Sequence, residues 1–350
     1  MRKLASIQRI WKLEPIEGAD RIELASVLGW KCVVNKGQFR EMDLAVYFEV
    51  DSFLPIRPEF EFLRASSYKK TDIMGEGFRL RTMKFRGQIS QGLVLPLSAF
   101  PVIEEHPELW VIGTDVTYIL GVRKWEVEER ATTGGTIIGP LPYDCPHTDE
   151  TRVQAEPGLI QEFAGLPYYI TTKMDGSSHS ICIDEEGTHV CGHNYEYKQD
   201  DDCSFYRLVN ERGYLDRIED FYRANNLTRL TIQGEFCAPG IQQNRLRLKR
   251  PEWYVFTIRI DGKRVGLMDL QRYAEEMGLD IVPIEEIGMD LPSHYPTVED
   301  LLVRADGEYK AGVKKEGIVI RPANPVYSQT IGGYLSMKVV SNKYLLKNEE

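Results

Sequence analysis

The residues able to do chemistry fall in order along the second half of the chain. The first is Lys173, in Thr171-Thr172-Lys173-Met174-Asp175-Gly176-Ser177. A lysine at the end of an apolar strand is partly desolvated, which lowers its pKa and frees a lone pair for attack. Asp175 can orient neighbours, and Gly176 permits a tight turn. Alone, Lys-x-Asp-Gly is only four residues, and a strand ending in a surface turn explains it better. Further pieces follow. Glu235, in Gly234-Glu235-Phe236, ends an apolar strand. Trp253-Tyr254-Val255-Phe256 offers an aromatic that can stack on a base. Glu316 precedes the apolar run Gly317-Ile318-Val319-Ile320-Arg321, and Lys338 sits inside Ser336-Met337-Lys338-Val339-Val340. Each piece has a bland reading, a strand-edge charge in water or a core aromatic. The ordered set is much harder to dismiss.

Familiar nucleotide and hydrolase signatures are absent from the sequence. The nearest approach to a phosphate-binding loop, Gly187 to Gly192, continues into His193 rather than Lys-Ser/Thr. Gly75-Glu76-Gly77 is a lone glycine pair. Neither GxSxG nor HExxH occurs. The six cysteines are Cys32, Cys145, Cys182, Cys191, Cys203 and Cys237, with no CxxC pair, and they read as reduced, mostly buried thiols. Cys182, Cys191, His193 and Cys203 cluster in sequence, but zinc ligands come in tight pairs with two to four residues between them, and here only Cys191 and His193 are close, with one residue between.

The elements that must position these residues divide the chain in two. Its 350 residues correspond to roughly two domains at about 150 residues each. The 42% apolar and 27% charged fractions exclude disorder, collagen and coiled coil as the main state. No apolar run approaches the roughly 20 residues of a membrane span, and the N-terminus reads as a first strand rather than a signal peptide. A cytoplasmic protein, a monomer without membrane partners, is the expectation.

Residues 1–125 are β-rich. LASIQRIWKL, RIELASVL, WKCVVN, LAVYFEVDSF, FRLRTMKF, GLVLPL and DVTYIL read as strands, with helical turns near Pro58–Phe62 and Leu97–Phe100. An OB-like β-barrel fits this length and pattern. Residues 126–160 are rich in Gly, Pro, Thr and acids and read as a linker into the second domain. Residues 161–350 read as an α+β domain of antiparallel sheets flanked by helices. Its expected strands include PYYITTKM, LTIQGEFC, WYVFTIRI, GIVIRP and LSMKVV. A helical pattern spans Phe205–Asn225, weakened by Gly213, and Asp261-Gly262 signals a hairpin.

The ordered motifs resemble those of the covalent nucleotidyltransferase superfamily, the ATP-dependent polynucleotide ligases and RNA capping enzymes. Lys173-Met174-Asp175-Gly176 matches the nucleophile motif, Glu235 and Phe256 the next two, Glu316-Gly317-Ile318-Val319 the fourth, and Lys338 the last. DNA ligases and capping enzymes carry an OB domain after the last motif, whereas 12 residues follow Lys338 here. Pro15-Ile16-Glu17-Gly18-Ala19-Asp20-Arg21-Ile22-Glu23, Tyr47-Phe48-Glu49-Val50-Asp51 and Ser90-Gln91-Gly92-Leu93 look like the N-terminal OB module of the fifth RNA ligase family. Gly240-Ile241-Gln242-Gln243-Asn244 is also similar to RNA ligases. The resemblance then covers nearly the full chain. Two positions depart from it. His193 stands where related ligases often carry an arginine, and Lys338 lacks a second lysine two residues away. Bidentate phosphate gripping is lost at the first. Lys343 or Arg321 is the candidate to fill the second role.

The resemblance implies an ATP-dependent RNA ligase with Mg2+ or Mn2+. Lys173 would form a lysyl-AMP, pass AMP to an RNA 5′-phosphate, and the 3′-OH would displace it to seal a nicked duplex. Glu235 and Glu316 would hold the metal, and Lys338 would clamp phosphate. Asp175, Gly176, His193 and Phe256 would complete the nucleotide site, with Arg152 as a further phosphate contact whose alternative is linker surface. The net charge of −10 argues against a general nucleic-acid coater but not against a local basic groove. Two basic stretches supply candidate RNA tracks: 64–86, with Lys84 and Arg86, and 245–250, with Arg245 and Arg247, preceded by the further candidate Asn244. The competing readings are a DNA ligase or guanylyltransferase, and a non-catalytic RNA-binding relative.

Overall fold

A computed structural model describes residues 2–126, 134–143, 145–310 and 312–348. The chain forms two compact units. One comprises Met1–Val127, Gln154–Pro157 and Leu345–Glu350; the other comprises Glu128–Val153 and Gly158–Tyr344. No described helix is long and apolar enough to cross a membrane.

The first unit is built from strands β1 (Ala5–Pro15), β2 (Ile22–Val27), β3 (Trp30–Asn35), β4 (Leu44–Phe48), β5 (Ser52–Leu54), β6 (Tyr68–Thr71), β7 (Gly75–Arg79), β8 (Met83–Phe85), β9 (Gln88–Ser90), β10 (Leu93–Pro96) and β11 (Arg123–Lys124). They form an antiparallel sheet in the order β10-β4-β1-β2-β3, a second in the order β11-β5-β7-β6, and the hairpin β8–β9. Alternate residues of a strand face opposite sides. On β4 this sends Val46 and Phe48 into one core, with Phe60, Phe78 and Phe100, and Ala45 and Tyr47 into another, with Trp30 and Val34. A strand buried on both faces is what a closed or doubly covered sheet requires. The expected 3-10 turns form at Pro58–Leu63 and Leu97–Ala99. DVTYIL does not become a strand. Asp115 makes a single bridge to Ser6, and its carboxylate accepts from the Thr117 backbone N–H, so the chain turns instead.

The second unit carries β12 (Ile137–Pro140), β13 (Pro167–Lys173), β14 (Ser177–Asp184), β15 (Gly187–Cys191), β16 (Tyr195–Tyr197), β17 (Leu230–Cys237), β18 (Glu252–Ile260), β19 (Lys263–Arg264), β20 (Ile284–Met289), β21 (Glu308–Lys310), β22 (Val313–Lys314), β23 (Gly317–Pro322), β24 (Tyr327–Ser328), β25 (Gly333–Tyr334) and β26 (Met337–Val340). The larger antiparallel sheet runs β12-β16-β15-β14-β17-β18-β19, and the smaller runs β20-β13-β23-β26. Ile181, Val190, Ile232 and Ile258 bury one face of the larger sheet against Phe205, Leu208, Ile218 and Phe221. Those last four lie on two helices, Ser204–Glu211 and Tyr214–Ala224, where the sequence pattern reads as one. Gly213 divides them with φ +61°, a left-handed conformation that costs glycine little. The smaller sheet packs Ile170, Ile318, Ile320 and Val339 against Leu301 and Ala305 of the helix Val298–Ala305. Thr297 and Asp300 begin that helix with reciprocal side-chain caps. Asp261 and Gly262, both at positive φ, turn β18 into β19 as expected.

The segment 126–160 is more structured than a linker. Residues 127–133 and 144 lie outside the described residues. Ile137–Pro140 adds an edge strand to the larger sheet, and Thr151 and Val153 bond to the backbone of Lys338.

Candidate active site

The two sheets of the second unit each bring one carboxylate to the same lysine. Lys173 is the last residue of β13 and stands opposite Gly317, the first of β23. Glu316 therefore lies beside it, and the Lys173 Nζ donates to Glu316 Oε2 at 2.8 Å. Gly317 must be glycine: a Cβ there would lie 2.1 Å from the Val339 carbonyl oxygen. Glu235 comes from β17 of the larger sheet, and its Oε1 accepts from the Gly176 N–H at 3.0 Å. Gly176 is equally constrained, since its Cβ would lie 2.4 Å from the Phe236 carbonyl oxygen. The turn after Lys173 thus rests directly on the strand that carries Glu235.

Electrostatics differ from the sequence expectation at Lys173. Burial pulls its pKa down, but Glu316, Glu235 and Asp175 outweigh burial and hold the ammonium above its ordinary value. Glu235 moves the other way. Burial and the neighbouring carboxylates of Glu316 and Asp175 push it up to about 7, against the pull of Lys173. The cluster therefore carries more acid than its single lysine neutralises, and such an oxygen-rich set suits a hard divalent cation.

A cavity of about 210 Å³ opens above this cluster. Its lining includes Thr171, Lys173, Met174, Glu235, Phe256, Val282, Val319, Arg321 and Lys338, together with Thr148, Asp149, Glu150, Ser178 and His193. Lys173, Glu235, Phe256, His193 and Lys338 are thus brought together. Lys338 Nζ lies 4.0 Å from Asp149 Oδ1 and His193 Nε2 lies 3.7 Å from Asp149 Oδ2, so one carboxylate faces both. Glu316 reaches the site through Lys173. Arg152 forms a parallel bridge with Lys338 but does not line the cavity.

Asp175 and Gly176 do not line the cavity either. The Asp175 carboxylate is buried, pairs with Arg245 Nη1, and accepts from the Tyr344 hydroxyl at 2.8 Å. Arg245 stacks its guanidinium 4.8 Å from the Tyr344 ring centroid. Arg245, expected from the sequence as an RNA contact, is here the internal counter-ion of Asp175. Asn244 also serves the loop, its Oδ1 accepting from the Leu248 N–H at 2.9 Å and its Nδ2 donating to the Leu248 carbonyl at 3.0 Å. Arg247 is exposed, as are Lys84 and Arg86 on the β8–β9 hairpin of the first unit.

The residues missed in sequence are Asp149 and Glu150. Glu150 accepts from Arg321 Nη2 at 2.5 Å and from the Ser336 hydroxyl. Burial would raise its pKa, but Arg321 and Arg264 hold it below the ordinary carboxylate range. Arg321 also donates to the carbonyl of Phe256 and to Thr257 Oγ1 at 3.2 Å, fixing the strand that bears the aromatic. Of the two candidates for the absent second lysine, Arg321 lines the cavity. Lys343 is exposed and pairs with Asp306 at 2.7 Å. Asp149 and Glu150 gave no signal because they sit in a Gly- and Pro-rich stretch without periodicity.

Both units of the chain match known proteins. A family model described as an OB-fold domain matches residues 4–97, and one described as RNA ligase matches residues 166–340. No curated protein matches the chain. Among solved structures, the chain is similar to the Naegleria gruberi RNA ligase with PPi, at 32% identity and a TM-score of 0.87, covering 100% of this chain and 99% of that one. A variant of that ligase with ATP and Mn matches at 31% identity and a TM-score of 0.86, over 99% and 98% of the two chains. Another variant, with AMP and Mn, matches at 31% identity and a TM-score of 0.88, over 99% of each. With an OB-fold domain followed by an RNA ligase domain, and a likeness to a known RNA ligase along its whole length, the chain belongs to the RNA ligase family.

Proposed function

We propose that the protein is an ATP-dependent RNA ligase that works through a lysyl-AMP and seals 5′-phosphate to 3′-OH ends at nicks in duplex RNA. The observation that carries this reading is Lys173 at the floor of a cavity, with Glu316 2.8 Å from its Nζ, and with Phe256, Arg321 and Lys338 on the walls. In the first step the Lys173 amine, after losing a proton, attacks the α-phosphorus of ATP. A P–N bond forms and the bond to pyrophosphate breaks. Phe256 stacks on the adenine, and Lys338 and Arg321 draw the phosphoryl charge. In the second step a 5′-phosphate oxygen of RNA takes the AMP from Lys173. In the third the 3′-OH attacks that 5′-phosphorus and AMP leaves.

The acid-rich set of Glu235 and Glu316 fits a divalent cation such as Mg2+ or Mn2+, which would neutralise phosphoryl charge and oppose the carboxylates that keep Lys173 protonated. The relatives with ATP and Mn or AMP and Mn support this choice of nucleotide and metal. Lys84, Arg86 and Arg247 are exposed cations available to RNA phosphates. The decisive experiment incubates the protein with α-labelled ATP and Mg2+ or Mn2+, beside Lys173→Ala, and looks for label on denatured protein. Label on wild type alone is expected. Absence of label with every nucleotide and metal overturns the reading and leaves an RNA-binding relative.

A further inference from the structure

Three of the six cysteines converge at a place the ligation chemistry does not use. Cys182 lies on β14 and Cys191 on the adjacent β15, where Ser180 pairs with Cys191 and Cys182 with His189. Ile181, Ile183 and Val190 face the helical core, so Cys182 and Cys191 face the opposite side of the sheet. Cys145 reaches the same place from the segment that crosses this face. That segment is held down by Gln233 Nε2, which donates to the Pro146 carbonyl at 2.8 Å. The three Sγ atoms lie within 4.8 Å of one another, and all three cysteines are buried.

The remaining cysteines behave differently. Cys203 is packed in the large helical core, Cys32 in a core of the first unit, and Cys237 beside Met174 and Val282. The convergent three share their packing cluster with only Leu141, among the described residues, and Ser180, Thr231 and Gln233 lie on the same face. The grouping is invisible in sequence. The tight-pair rule weighed Cys182 and Cys191 with His193 and Cys203, but His193 turns to Asp149 and Cys203 to the core.

We propose that Cys145, Cys182 and Cys191 form a thiolate site for a thiophilic d10 metal ion, Zn2+ or Cu+. Zinc–sulfur bonds of about 2.3 Å place bound sulfurs about 3.8 Å apart, inside the separation found here. Soft thiolate sets select these ions, whereas the Glu235–Glu316 carboxylates suit hard ones, so the two sites take different metals. Binding displaces the thiol protons to solvent. Cu+ is satisfied by three sulfurs. Zn2+ takes a fourth ligand, which water can supply. Bound metal would also tie the strands to the segment carrying Thr148, Asp149 and Glu150 into the nucleotide cavity.

The test uses the full-length protein stripped of metal under reducing conditions. Titration with Co2+, a spectroscopic substitute for Zn2+, is expected to give a sulfur-to-metal charge-transfer band that saturates at one ion per chain and is displaced by Zn2+. Carboxylate-bound Co2+ at the Lys173 cluster gives no such band. Cys145→Ser, Cys182→Ser and Cys191→Ser each abolish it, and Cys203→Ser retains it. A parallel titration with Cu+ against a competing chelator separates the two ions. Should a serine variant misfold, alkylation of wild type with and without metal gives a second reading: metal protects these three thiols and leaves the other three unchanged. No thiolate band and no Cu+ uptake, a band that persists in Cys145→Ser, or equal alkylation of all six thiols overturns the proposal.

Discussion

Lys173 and Gly317 stand opposite each other in the β13–β23 ladder, and this register places the Glu316 carboxylate 2.8 Å from the lysine Nζ. A slip by one residue would turn either side chain to the wrong face. The absent side chain at Gly317 lets β23 approach β26 closely enough to keep that register. Gly317→Ala is therefore expected to destabilise the protein by about 1–3 kcal/mol, the usual cost of overpacking, and to reduce adenylylation as well. Urea unfolding with the labelled-ATP assay checks both. Unchanged stability would show that β26 yields without strain.

The Asp175 cluster separates a structural arginine from a solvent-facing one. Removing Arg245 leaves a buried carboxylate without its ion pair. Arg245→Ala should cost about 3–5 kcal/mol of stability. Arg247→Ala should cost no more than about 0.5 kcal/mol, since it is exposed. Thermal unfolding of the two variants side by side distinguishes them. Equal, small losses would mean that Arg245 is not the anchor of Asp175.

Lys338 faces the cavity and Arg321 is fastened to Glu150, so they should fail differently. Lys338→Ala is expected to retain its fold and lose adenylylation by on order of a hundredfold or more, as removal of a transition-state donor does. Arg321→Ala should lose activity and also about 3–5 kcal/mol of stability, because Glu150 is stranded. A Lys338→Ala protein with full activity would remove it from the site.

Lys84 and Arg86 protrude from the β8–β9 hairpin. If both contact RNA phosphates, the double variant Lys84→Ala/Arg86→Ala reduces the slope of log affinity against log salt by about two for duplex RNA. Binding measured at several salt concentrations gives this slope. An unchanged slope excludes the hairpin from the RNA interface.

His189 gives a pH signature away from the site. Its Nδ1 lies 2.8 Å from Glu196 Oε1 and its Nε2 3.3 Å from Asp184 Oδ1. Burial lowers its pKa, but hydrogen bonds to the two acids prevail and raise it. A raised folded-state pKa stabilises fully below the unfolded value of about 6.5, and the contribution fades as pH climbs through the folded value. His189→Gln should therefore lower Tm more at pH 5.5 than at pH 8.5. The reverse order would show that the imidazole is held neutral.

The ordered set Lys173, Glu235, Phe256, Glu316 and Lys338 was legible in the sequence because each sits at the end of, or within, a strand with clear apolar patterning. The same patterning marked the β-rich first unit and the helix-flanked sheets of the second. Asp149 and Glu150 were not legible, since they lie in a stretch whose position is set by contacts with Lys338, Arg321 and Ser336 rather than by local periodicity. Arg245 lies in a basic run that suggests a solvated track, and only the folded chain shows it closing on Asp175. Local sequence thus determined which strands form and which chemical groups they carry, because period and propensity act over a few residues. Which charge meets which carboxylate, and which three cysteines meet, was decided by tertiary structure, because strand pairing and burial bring together groups far apart along the chain.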